Sequence, residues 1–160
     1  MDVKQLFTAL TLLLVSNIGW AQKNESDQIY CTALQQYTLS IDTFYSKYSN
    51  NKGAKVKEIF LQKPEFVDSI PSIVNGYTII LITSANQRKL YKDHRNRLTH
   101  TIMFPLTNKG SELFITITPY RGELKRNNYT LGVSDGTTIY FKFDCEKQTY
   151  VVDKVKNWGI

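Results

Sequence analysis

Two periodicities divide this chain, and the change from one to the other sets its fold class. From Asp27 to Tyr48, large side chains recur at spacings of four and three: Tyr30, Leu34, Tyr37, Ile41, Phe44 and Tyr48. At 3.6 residues per turn these six share one face, with Gln35, Gln36, Ser40, Asp42 and Ser46 elsewhere, so the segment reads as an amphipathic helix. Ser26 or Asp27 can cap its start, and Asn50-Asn51 with Gly53 ends it. Three tyrosines in one stripe are explained by core packing, each ring buried and each hydroxyl reaching the rim.

Beyond Lys55 the period shortens to two, the signature of strands. Val56–Leu61 reads as a first strand, broken by Pro64, and Tyr48–Lys55 before it as a surface loop. Ile70–Val74 and Tyr77–Thr83 flank Asn75-Gly76, a dipeptide suited to a tight hairpin turn. In Leu98–Leu106, the residues Leu98, His100, Ile102, Phe104 and Leu106 share a face. In Glu112–Tyr120, Leu113, Ile115 and Ile117 alternate with Phe114, Thr116 and Thr118. Tyr129, Leu131 and Val133 form a further strand, turned by Ser134-Asp135-Gly136 into Thr137–Asp144, where Ile139, Phe141 and Phe143 are in phase. Tyr150–Val155 closes the chain, with Trp158 covering an end of the core.

One long helix followed by five to seven mostly antiparallel strands predicts an α+β domain, the helix packed across a curved sheet. That order of elements resembles the cystatin-like and nuclear-transport-factor-like rolls. The resemblance is one of element order and implies no function.

The first 21 residues read as a cleavable secretory signal rather than as part of this fold. Lys4 gives a positive start, Leu6–Ile18 is mostly apolar, and Gly19-Trp20-Ala21 places small residues at the cleavage positions before Gln22. The apolar run is shorter than the roughly 20 residues of a membrane span, and Ile79-Ile80-Leu81-Ile82 is strand-sized. The expectation is an exported chain, secreted or periplasmic, with residues 22–160 forming one globular domain. A composition 42% hydrophobic and 12% aromatic, with only four prolines, supports a packed core. In an oxidising compartment the two cysteines, Cys31 and Cys145, are expected to pair, tying the start of the domain to its end.

The charge is unevenly placed. Arg88, Lys89, Lys92, Arg95 and Arg97 lie within ten residues, opposed only by Asp93, a local excess of +4 in a chain of net charge +6. Ser84-Ala85-Asn86-Gln87 can start a short helix there, which would align Arg88, Lys92 and Arg95. Such a run is either a solvated segment or a docking patch for an acidic partner. Tyr91 is the sole aromatic within it, too few for the stacking platform of a nucleic-acid binder, so no nucleic-acid partner is expected.

Candidate chemistry is sparse. A hydrolase of nuclease type would need His94 and His100 to converge on a phosphate, and they straddle a loop-to-strand boundary. Glu65 with Asp68, and Asp144 with Glu146, read as solvated turn residues. No cluster supplies metal ligands, and no serine elbow, phosphate loop or HExxH pair occurs, so neither cofactor nor metal is expected. Asn24-Glu25-Ser26 and Asn128-Tyr129-Thr130 match the glycosylation sequon. The sequence therefore points to a small exported binding domain, of inhibitor or immunity type, docking an acidic protein through Arg88–Arg97. The alternatives are a secreted hydrolase using His94 and His100, and an envelope structural or small-ligand-binding protein.

Overall fold

The computed structural model describes residues 26–44, 46, 57–133 and 135–159. The leader predicted over residues 1–21, the Tyr48–Lys55 loop and the stripe residue Tyr48 lie outside them. Helix α1 covers residues 26–44. It is followed by β1 (Glu58–Gln62), β2 (Ile73–Val74), β3 (Tyr77–Ile82), helix α2 (Gln87–Asp93), β4 (Arg97–Met103) and β5 (Thr107–Lys109). Four longer strands complete the order: β6 (Glu112–Lys125), β7 (Asn128–Val133), β8 (Gly136–Asp144) and β9 (Thr149–Trp158).

The architecture corrects the predicted roll. All nine strands form one mixed sheet in the order β2-β3-β1-β4-β6-β8-β9, with β5 and β7 also paired to β6. Strands hold 51% of the described residues and the two helices 22%, so the sheet, not one long helix across five to seven strands, organises the molecule. The sheet is mixed because β1 runs parallel to both β3 and β4. Parallel neighbours cannot be joined by a tight turn, and α2 supplies the crossover from β3 to β4.

Alternation along β1 separates the two faces. Ile59 and Leu61 pack in the cluster that holds Tyr30, Ala33, Leu34 and Tyr37 of α1, together with Ile79, Met103, Ile115, Ile117, Ile139 and Phe141. Phe60 points the other way, into a smaller cluster with Ile82, Tyr91 of α2, Leu98 and Leu124. β4 is accordingly buried on both sides, Leu98 and His100 towards α2 and Thr101 and Met103 away from it. The single-faced alternation read from Leu98 to Leu106 describes only half of it.

β6 is the spine. Its first half pairs with β8 (Ile117↔Thr137) and its second with β7 (Tyr120↔Val133), while β4 runs along its other side. Three steps along β6 (Ile117 to Tyr120) face four along the opposite chain (Val133 to Thr137), so β8 follows β7 along the same side of β6 without reversing, where the sequence predicted a turn at Ser134-Asp135-Gly136. Trp158 lies over Gly136 so closely that a Cβ there would overlap the indole.

A candidate docking surface

The basic run is positioned by a short, firmly terminated helix. Asn86 closes the approach: its side chain accepts a hydrogen bond from the Thr83 N–H (2.7 Å) and donates to the Leu81 carbonyl (2.8 Å). α2 then ends where Arg95 (φ 56°) and Asn96 (φ 63°) turn left-handed in succession, and the Asn96 N–H donates to the Tyr91 carbonyl at 2.7 Å. Because the helix stops at Asp93, Arg95 leaves the aligned face that the sequence suggested and sits in the turn.

Tyr91 holds α2 to the sheet. Its side chain is fully buried, its ring meets Tyr129 edge-on at 5.1 Å between centroids, and it stands over Gly122. A Cβ at Gly122 would overlap the Tyr91 hydroxyl, so the backbone there must stay bare for α2 to dock. Burial, and secondarily Tyr129, push the Tyr91 phenol above its ordinary range.

With α2 fixed in this way, Arg88, Lys89, Lys92, Arg95 and Arg97 are all exposed. They do not stand alone. The Arg88 guanidinium donates to Asn127 Oδ1 (3.0 Å) and the Leu124 N–H to the Asn96 carbonyl (2.8 Å), which clamps the β6–β7 turn against α2. That turn carries Lys125 and Arg126, both exposed. Seven cations thus face two acids, Asp93 and Glu123. Glu123 is shared between Lys125 (2.9 Å) and Arg97 (3.5 Å); the Lys125 hydrogen bond, and then the two positive charges, hold its carboxyl below the usual range. Lys125 and Arg126 escaped the sequence reading because they lie nearly thirty residues downstream; only the turn signal Lys125-Arg126-Asn127-Asn128 marks them.

No protein-family model, curated protein or solved structure matches this chain.

The two histidines occupy different settings. His100 is buried, its Nδ1 2.9 Å from the Tyr91 hydroxyl and its Nε2 3.2 Å from Gln62 Oε1. In a neutral imidazole, Nε2–H donating to Gln62 Oε1 leaves Nδ1 to accept from the Tyr91 hydroxyl. Burial lowers its pKa accordingly. His94 caps the end of α2, its Nδ1 2.8 Å from the Leu90 carbonyl and its ring edge-on to Phe60.

Among the described residues, no three His, Cys, Asp or Glu side chains group to hold a metal ion, and no helix is long and apolar enough to cross a membrane. Cys31, partly buried on α1, and Cys145, exposed in the turn after β8, are both free thiols in this structure. Burial, then the Asp27 charge, raise the Cys31 pKa. Glu65 and Asp68 are exposed. Asp144 accepts from the N–H groups of Glu146 (3.0 Å) and Lys147 (3.1 Å), the work of a turn cap. A cavity of about 600 Å³ opens between the second half of α1 and the sheet. Its lining mixes Tyr37, Ile41 and Phe44 with Glu58, Arg121 and Asp135, so it is not an apolar pocket.

Proposed function

We propose that this chain is an exported, non-enzymatic binding domain that docks an acidic protein surface through its basic face. The observation that carries the reading is the convergence of Arg88, Lys89, Lys92, Arg95 and Arg97 with Lys125 and Arg126 on one exposed surface, fixed by the Arg88–Asn127 and Leu124–Asn96 bonds. Holding seven like charges together costs repulsion, and an acidic partner relieves it. Binding is favoured over hydrolysis by His100, whose two ring nitrogens are both engaged inside the protein.

The test is capture of the cognate partner by the wild-type chain and by the combined Arg88→Glu, Lys92→Glu, Arg95→Glu variant. Capture should fall severely on charge reversal with the fold intact, and should weaken as salt rises, since exposed charges are screened beyond about 8 Å at physiological ionic strength. Replacing His94 and His100 should leave capture nearly unchanged. Capture that survives charge reversal removes the surface from the argument, and a hydrolytic activity lost with the histidines hands the case to the enzyme reading.

A further inference from the structure

The strand that continues from the basic turn has an open side. Among the described residues β7 pairs with β6 alone, and all six of its residues are exposed. The Leu124 N–H points to Asn96, on the side of β6 away from β7. Leu124 and its partner Tyr129 are therefore a pair that exchanges no hydrogen bonds, and by alternation Tyr129, Leu131 and Val133 direct their N–H and C=O groups away from β6. Six residues of strand expose about 20 Å of such edge. The same three residues are 38%, 42% and 56% exposed. Edge strands are normally blunted by lysine, proline or an inward charge, and Asn-Tyr-Thr-Leu-Gly-Val has none.

We infer that β7 accepts an extended acidic polypeptide segment as an added strand, its apolar side chains on Leu131 and Val133 and its carboxylates on Arg88, Lys92 and Arg126. Main-chain hydrogen bonds then supply the attachment and the basic rim selects the partner, as in other cases of strand addition. This rests on the docking reading above and gives it a binding mode. Charge complementarity decides the occupant: β7 of a second copy carries no carboxylate to offer the rim.

The test uses the full chain and a labelled peptide, Glu-Glu-Val-Thr-Val-Thr-Val-Glu-Glu, at low salt. Binding is expected, with slowed amide exchange at Tyr129, Leu131 and Val133. A peptide N-methylated at its three valines and both threonines, which cannot complete the ladder in either strand direction, should bind about tenfold or more weakly. Leu131→Pro, which removes an outward N–H without touching the β6 ladder, should do the same. Absence of binding overturns the inference. If charge reversal at Arg88, Lys92 and Arg95 leaves peptide binding unchanged, the docking reading itself has failed. If charge reversal abolishes binding while the N-methylated peptide binds like the parent, docking stands and strand addition is wrong. A peptide-free dimer that dissociates with Leu131→Pro assigns the edge to a second copy instead.

Discussion

The Tyr91 hydroxyl lies 2.9 Å from Nδ1 of His100, whose imidazole is buried between α2 and β1. Burial lowers the folded-state pKa of His100 below the unfolded value of about 6.5. The unfolded chain therefore takes up the proton first as pH falls. The stability involved is fully present above the unfolded value and is lost as pH drops towards the folded one, by about 1.4 kcal/mol per pH unit across that window. We expect the urea midpoint to fall between pH 7.5 and 5.5, and to fall less in His100→Gln. Equal falls in both proteins would contradict the assignment.

Gly122 and Tyr91 should behave as one unit. Gly122→Ala pushes a methyl group into the Tyr91 hydroxyl and should cost about 1–3 kcal/mol, the usual range for overpacking. Tyr91→Phe removes the clashing oxygen but leaves His100 without its donor. The double variant should then be less destabilised than the sum of the singles, read by equilibrium unfolding as a double-mutant cycle. Strict additivity would mean that the two residues are not in contact.

Burial, not hydrophobicity, should decide the cost of truncation. Leu34→Ala, at 1% exposure on α1, should destabilise by about 2–5 kcal/mol. Phe143→Ala should cost far less, although Phe143 is in sequence phase with the buried Phe141, because it is 47% exposed near the end of β8. Comparable losses of thermal stability at the two sites would show the burial to be misassigned.

The thiols should separate by reactivity. In reduced protein, iodoacetamide should modify the exposed Cys145 well before Cys31, whose raised pKa and partial burial both lower the supply of thiolate. The pairing proposed for an oxidising compartment requires the two Cα atoms to come within roughly 4.4–6.8 Å. If they pair there, protein isolated without reductant from that compartment should weigh two hydrogens less than its reduced form. Two alkylatable thiols in that sample would reject the bond.

Much of the local structure was legible because it depends on near neighbours. The stripe Tyr30, Leu34, Tyr37 marks the face α1 buries, and Ile73-Val74 does meet Tyr77-Thr78 across Asn75-Gly76. What escaped depends on distant partners. Nothing in Glu58–Gln62 states that both its neighbours run parallel to it, and this one fact turns an expected roll into a mixed nine-stranded sheet. Pro119 and Gly122 hid the continuation of β6 to Lys125, since both residues weaken a strand signal. The docking surface was half legible for the same reason: the run from Arg88 to Arg97 is contiguous, whereas Lys125 and Arg126 join it only through a tertiary clamp.

The long β6 also has a consequence for how the chain assembles. Its pairing with β7 is closed by the short turn at Arg126-Asn127, β8 continues along the same side, and β9 returns after the turn at Cys145–Gln148, so that half of the sheet can zip from local contacts. The parallel trio β3-β1-β4 must first close longer loops, which slows its formation. We expect Ile115→Val and Ile139→Val to slow refolding in stopped-flow measurements, and Ile59→Val mainly to speed unfolding. The order of events would then run from the C-terminal half back towards the N-terminus, opposite to the direction in which a ribosome releases the chain.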